Sequence, residues 1–227
     1  MRKKKRKNFV FVLLLLLCLI IPFSTVTVFS AQFYWGRDPK GGSVKLRLID
    51  GRNGQFTINA NVVTAPCGET YASLIKKGVN NWNNAGAGVN YSYTTESGYK
   101  IFFTTGDFGN SGYSGKTQFF TSSGRNVGDS SGNATANYSY TIIALNHYAF
   151  SRDPNRLGKS QGVQLITAHE MGHSLGLNHD NAGAQSGIAN AYLMDPNIEM
   201  YYSNGSISFY TPRSDDVWGV NELYKKK

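Results

Sequence analysis

Apolar side chains recur along this chain with two spacings, one typical of strands and the other of helices. Between residues 43 and 49 apolar residues alternate with charged ones, which predicts a half-buried strand. Between residues 69 and 83 apolar residues are three or four positions apart, which predicts an amphipathic helix. Segments rich in aromatic and β-branched residues predict further strands at 89–95, 100–105, 116–122 and 138–145.

The second half of the chain predicts two helices with little regular structure between them. The first helix spans about residues 159–175, and the second begins at Ser214. Ser214 is the expected N-cap, and Asp215 and Asp216 favour a helix N-terminus. Together these elements predict an α+β fold, with a twisted mixed β-sheet and helices in an upper part and an irregular lower part closed by the C-terminal helix.

The candidate chemistry lies at the end of the first of these helices. His169, Glu170, His173, Gly176 and His179 form the pattern H-E-x-x-H-x-x-G-x-x-H, which includes three of the four histidines of the chain. Histidines four residues apart lie on one face of a helix and can bind one zinc ion. The glycine can end the helix in a left-handed conformation, so that the third histidine turns back toward the metal. Glu170 would then act as the general base on the attacking water.

The extended motif resembles that of the metzincin zinc endopeptidases, a clan with a methionine turn beneath the metal. Residues 192–196, with the sequence Tyr-Leu-Met-Asp-Pro, fit that turn. The resemblance implies that Met194 packs under the zinc and does not bind it. Residues 69–82, 99–107 and 214–224 are similar to the first helix, a strand with its Gly-Asp turn, and the C-terminal helix of one metzincin family, the matrixins.

The matrixin resemblance implies a metzincin-type zincin fold in which a cleft separates an upper from a lower subdomain. It also implies one catalytic Zn²⁺ and a polypeptide substrate that lies extended along an edge strand, here 116–122. Pro196 stands where astacins and serralysins have a zinc-binding tyrosine, so that tyrosine is not expected here. Residues 108–146 contain no histidine, which disfavours the second, structural zinc of vertebrate matrixins.

The N-terminus predicts export. Six basic residues precede an apolar run from residue 9 to residue 21, and Val28 and Ser30 offer a cleavage site, as in a secretory signal peptide. A retained signal anchor is the alternative. We therefore expect a signal peptide at 1–30 and a single catalytic domain at 31–227. The net charge of +9 falls to +3 without residues 1–30, so basicity gives no argument for nucleic acid or membrane binding. A secreted, extracellular bacterial monomer is expected.

Five residues outside the motif remain open or are assigned to structure. Asp180 could orient a ligand histidine, replace His179 as a ligand, or face solvent. Cys67, in a sequence faintly similar to the matrixin cysteine switch, is expected to be a buried or incidental thiol. Asp107 and Asp129 could bind Ca²⁺, although their spacing matches no known calcium loop. The remaining histidine, His147, is assigned a structural role.

These patterns favour a secreted zinc-dependent endopeptidase that hydrolyses peptide bonds with Glu170 as general base. One alternative is a secreted zinc-binding interaction module without turnover, although such a module has no physical need of Glu170. A second alternative is a zinc hydrolase that acts on cell-wall peptide cross-links. The sequence identifies neither the natural substrate nor the preferred cleavage site.

Overall fold

The computed structural model describes residues 31–37, 43–180 and 191–225. The predicted signal peptide, residues 1–30, lies outside the described residues. In the part of the chain that is described, no helix has the length and apolar character needed to cross a bilayer.

The described residues form seven strands and five helices. The strands are β1 (Trp35–Arg37), β2 (Ser43–Lys45), β3 (Asn53–Ala60), β4 (Asn90–Tyr93), β5 (Ile101–Gly106), β6 (Gly115–Phe120) and β7 (Tyr140–Asn146). The helices are α1 (Tyr71–Asn83), α2 (His147–Arg152), α3 (Ser160–Leu175), α4 (Ile198–Ser203) and α5 (Ser214–Leu223).

Five of the strands form one mixed sheet in the order β4-β3-β5-β7-β6. Strands β4, β3, β5 and β7 run parallel to one another, whereas β6 is antiparallel to β7 and lies at the edge. The other two strands, β1 and β2, form a separate antiparallel pair. The mixed sheet predicted from sequence is therefore confirmed, and the strand expected to bind substrate is an edge strand.

Strand β3 was not predicted, although it lies inside the sheet. Phe56 is its only buried side chain, and Asn and Gly residues are depleted in strands. Its position is set by the backbone, because β3 pairs with β4 on one side and β5 on the other. The predicted strand at 43–49 is shorter than expected. It is regular only as β2, although Leu46 and Leu48 are buried as the alternation requires.

The two long helices α1 and α3 were predicted within two residues. Thr70 caps α1 by accepting a hydrogen bond from the Ser73 N–H at 3.2 Å. The short helices α2 and α4 were missed, because six residues carry too little periodicity to predict. Ser214 is not the N-cap of α5. That position belongs to Arg213, whose N–H donates to the Asp216 carboxylate at 2.8 Å.

Helix α1 packs closely against α3 and fixes the position of the motif helix. A Cβ atom at Gly78 would lie 2.6 Å from the Thr167 Cβ, so the glycine permits the close approach. The Trp82 side chain is fully buried, and its Nε1–H donates to the Ala168 carbonyl at 2.7 Å. Because Ala168 precedes the first motif histidine, this bond holds the helix where its chemistry begins.

Candidate metal centre and active site

Helix α3 ends as the motif predicts. Gly176 has a φ of +105°, in the left-handed region, and Leu177 N–H donates back to the Gly172 carbonyl at 3.0 Å. A glycine adopts this conformation without strain from a side chain. The chain then reverses and brings His179 toward the two helical histidines.

The three motif histidines converge on one point. The Nε2 atom of His179 lies 3.3 Å from Nε2 of His169 and 3.2 Å from Nε2 of His173. Of the described residues, these three are the ones that group as metal ligands. His169 and His173 are buried, whereas His179 is exposed. The structure thus places all three predicted ligands together.

Hydrogen bonds at the opposite ring nitrogens indicate that the converging atoms carry lone pairs. Nδ1 of His169 lies 2.7 Å from the Leu193 carbonyl oxygen, and Nδ1 of His173 lies 2.9 Å from that of Leu177. A carbonyl only accepts, so each Nδ1 carries the proton. Both Nε2 atoms are then unprotonated. They can accept a hydrogen bond but cannot donate one to another unprotonated nitrogen. Burial also lowers the pKa of His169 to about 3 and that of His173 well below its usual value.

This geometry fits zinc. Zn–N distances of about 2.0–2.1 Å in a tetrahedral site place neighbouring ligand nitrogens about 3.3–3.4 Å apart. The two Nε2 separations given above agree with that spacing. Neutral imidazoles held by hydrogen bonds at the second ring nitrogen are the usual form of histidine as a metal ligand. Three protein ligands leave one coordination position for water or substrate.

Tyr34 also contacts a predicted ligand, and the sequence analysis did not identify it. Its hydroxyl lies 2.9 Å from His173 Nδ1. The residues around it run alongside the end of α3, where Asn178 N–H donates to the Gln32 carbonyl at 3.0 Å. No local motif could indicate this contact, because it joins residues far apart in sequence.

Glu170 is held against the edge strand. Its Oε2 lies 2.7 Å from the Thr117 hydroxyl, which is also 3.0 Å from the Glu170 carbonyl oxygen. A Cβ atom at Gly115 would come within 2.8 Å of Oε1, so only glycine leaves room for the carboxylate there. Burial is the main reason that the pKa of Glu170 is raised to about 7, and nearby Glu199 contributes. A cation held by the histidines would lower it again.

Met194 packs against the motif helix at Gly172. The side chain is buried, and a Cβ atom at Gly172 would overlap its sulfur. Asp216 of α5 fixes the turn by accepting hydrogen bonds from the N–H groups of Leu193 at 3.0 Å and Met194 at 3.1 Å. Asp216 therefore serves both the start of α5 and the methionine turn, a double role that the sequence did not reveal.

The other candidate residues lie outside the metal centre. Asp180 is buried, so the solvent-facing interpretation is wrong, and its N–H donates to the Met194 carbonyl at 2.8 Å. His147 contacts the Tyr71 and Ser151 hydroxyls at 3.1 Å each, in line with a structural role. Cys67 is exposed, not buried. Asp107 and Asp129 accept backbone hydrogen bonds within their own loops.

A cleft of about 320 Å³ opens over these groups. Its described lining includes the three histidines, Glu170 and Thr117, together with the following residues from the edge strand, the 130–133 loop and the start of α4: Ser114, Gly115, Lys116, Ser130, Asn133, Pro196, Ile198 and Glu199.

The sequence model of the matrixin peptidases matches residues 69–225, well over half of the chain. The chain belongs to the matrixin family. That membership implies zinc, in agreement with the placement of the three histidines in this matrixin domain. The mixed sheet and five helices also fit a matrixin-type domain.

Two individual proteins show more limited similarity. Human matrilysin is 35% identical over 74 residues, which are 31% of this chain and 23% of matrilysin. A solved structure described as the GM1 bound form of the ECX AB5 holotoxin has a TM-score of 0.49 and 16% identity, and the match covers 77% of this chain and 81% of that chain. At these levels of coverage and identity, neither match transfers a substrate or a partner.

Proposed function

We propose that this matrixin domain is a zinc-dependent endopeptidase. The observation that carries the proposal is the convergence of the three histidines beside a buried Glu170 that Thr117 holds in place. The Nε2 atoms of His169 and His173 lie 3.3 and 3.2 Å from Nε2 of His179. Zinc bound there would acidify a water molecule and polarise the carbonyl of a peptide bond.

The residues of the chain supply the remaining steps. Glu170 accepts the proton of the attacking water and passes it to the leaving amine. The Thr117 hydroxyl keeps the carboxylate oriented while its charge changes. No nucleophilic side chain is required, because water attacks the carbonyl directly. The products are a new carboxylate and a new amine.

The substrate is a polypeptide that adds as a strand to β6. Only part of the predicted edge is available, because Val127 N–H donates to the Phe119 carbonyl at 2.8 Å and the 125–127 segment pairs with the end of β6. The portion at 115–118 lies beside Glu170 and is the part that binds substrate. Main-chain pairing leaves specificity to the side-chain pockets of the cleft.

We further propose that the chain is exported, with residues 1–30 as the signal, and acts as an extracellular monomer. The basic and apolar N-terminal segment supports this proposal. The proposed function involves no nucleic acid and no membrane as a partner, and it assigns no role to Ca²⁺.

The test is cleavage of unfolded casein by the purified protein loaded with zinc. A Glu170→Gln variant removes the general base, and a Glu96→Gln variant removes the same charge from an exposed position. We expect cleavage by the wild type and Glu96→Gln, and none by Glu170→Gln or after chelation. Zinc binding without cleavage of any polypeptide would favour the silent binding module, and cleavage of cell-wall cross-links alone would favour the second alternative.

A further inference from the structure

The active-site cleft contains a second carboxylate, Glu199. This residue lies in the first turn of α4 and lines the same cleft as Glu170. The Ser114 hydroxyl donates to Glu199 Oε1 at 2.5 Å. The side chain is half-buried, and it forms no ion pair with any described residue.

The surroundings of Glu199 favour a cation. Burial is the main cause that raises its pKa, and the neighbouring charge of Asp153 acts in the same direction. Both effects disfavour the charged form of the carboxylate, so a cation bound beside it would be stabilising. Among the described residues that line the cleft, Lys116 is the only one with a permanent positive charge. Its side chain is exposed, and its ammonium lies 5.8 Å from the Tyr113 ring centre.

Glu199 lies near Glu170, the group that protonates the leaving amine in the proposed mechanism. Because Glu170 must reach the leaving nitrogen to deliver that proton, we expect residues beside Glu170 to lie near the part of the substrate that follows the scissile bond. Ser114, the hydrogen-bond partner of Glu199, directly precedes Gly115, which abuts the Glu170 carboxylate. The charge of Glu199 also acts on Glu170. A side chain just after the scissile bond would therefore point toward Glu199.

We propose that Glu199 selects a lysine or arginine side chain at the residue immediately after the scissile bond. The inference rests on the proposed endopeptidase function and names its substrate class: polypeptides cleaved on the amino side of a basic residue. The Ser114 hydroxyl holds one carboxylate oxygen, and the substrate cation binds the other. A neutral residue at that position leaves the carboxylate without a cation in the cleft.

The preference is expected to be large enough to measure with single peptides. A site built for a charged partner discriminates strongly against an analogue that lacks it. We expect kcat/KM to be about 10- to 100-fold higher for lysine than for norleucine, which has a similar apolar chain and no ammonium group. Glutamate at the same position should be cleaved more slowly than norleucine, because two carboxylates would then face each other.

The experiment uses the zinc-loaded protein and quenched fluorescent peptides that differ only at this residue. Glu199→Gln should bring the ratio of kcat/KM for the lysine and norleucine peptides to about one, by lowering kcat/KM for the lysine peptide. Glu96→Gln, a charge-matched change at an exposed residue, should leave the ratio unchanged. Ser114→Ala should lower the ratio only in part, because it removes the hydroxyl that holds the carboxylate but leaves the charge. Added salt should lower the ratio in the wild type.

A binding measurement separates this inference from the proposed catalysis. Zinc-loaded Glu170→Gln protein, titrated with labelled lysine and norleucine peptides, reports selection without turnover. Suppose that the wild type cleaves no peptide, but that Glu170→Gln binds the lysine peptide more tightly than the norleucine peptide. The peptidase proposal is then wrong and the role of Glu199 stands. Equal cleavage of the two peptides by the wild type would overturn the role of Glu199 and leave the peptidase intact. A lysine preference that survives Glu199→Gln would also overturn it.

Discussion

The hydrogen bond from Thr117 to Glu170 gives the sharpest prediction about the proposed mechanism. Thr117→Val removes one hydroxyl and keeps the branched shape of a side chain that is buried in β6. The bond that is lost, 2.7 Å from Thr117 Oγ1 to Glu170 Oε2, involves a charged acceptor. Such bonds are worth about 1.5–3 kcal/mol. We therefore expect kcat/KM to fall about 10- to 150-fold, since each 1.4 kcal/mol is about tenfold.

The assay is hydrolysis of a quenched fluorescent peptide at saturating zinc, with zinc affinity measured separately. Zinc affinity should not change, because the Thr117 hydroxyl hydrogen-bonds to Glu170 and not to any of the three histidines. Thr117→Ser restores the hydroxyl and should restore most of the activity. In a Glu170→Gln background, Thr117→Val should have little further effect, because the two residues act as one unit.

Two results would refute this reasoning. One is a Thr117→Val protein with kcat/KM within about threefold of the wild type, which would mean that the hydroxyl does not orient the base. The other is a full additional loss in the Glu170→Gln background, which would assign Thr117 a separate role. Reduced zinc binding by Thr117→Val would indicate a structural disturbance, and Thr117→Ser then becomes the decisive variant.

Three further predictions concern the groups that support the site. Gly172→Ala should lower the free energy of unfolding by about 1–3 kcal/mol, because its Cβ would overlap Met194; in urea denaturation the loss should shrink when Met194→Ala makes room. Tyr34→Phe removes the hydroxyl beside His173 and should weaken zinc binding about 10-fold or more in a competitive chelator titration; an unchanged affinity would contradict that role. Burial raises the pKa of Asp216 from 3.8 to about 6. The folded state therefore binds this proton more tightly than the unfolded state does. The stability that this proton contributes is present below pH 4 and lost as the pH rises toward 6. Asp216→Asn lacks this titration, so its stability deficit relative to the wild type should shrink by about 2–3 kcal/mol between pH 4 and pH 6.5; a constant deficit across that range would show that Asp216 is ionised throughout.

The parts of the site that could be predicted from sequence are those fixed by local geometry. Helical spacing places His169 and His173 one turn apart, and Gly176 needs only its own backbone freedom to end α3. The strand at 116–122 could be predicted because its residues favour strands, whereas its edge position followed from the matrixin resemblance and its order in the chain. The inferences about α3 and about the strand itself use residues that are close in sequence.

The parts that could not be predicted depend on tertiary contacts. Tyr34 contacts His173 although the two are 139 residues apart in sequence, and Thr117 of β6 hydrogen-bonds to Glu170 of α3. Strand β3 is defined by pairing on both sides, which its polar side chains do not reveal. Even Asp216, correctly placed near the start of a helix, gave no sign that it would also bind the methionine turn. A sequence pattern shows which chemistry is present but not which distant residues orient it.

The structure also couples the metal centre to a helix that contributes no ligand. Asp216 at the start of α5 holds the backbone of Leu193 and Met194. The Leu193 carbonyl in turn accepts the hydrogen bond that orients His169, and Met194 packs against Gly172 between the two helical histidines. Displacing α5 would therefore loosen the ring of His169 and the support beneath α3 together. For this reason, changes in the C-terminal helix should alter zinc affinity as well as stability, whereas changes of similar size in the remote strand β4 should alter stability alone.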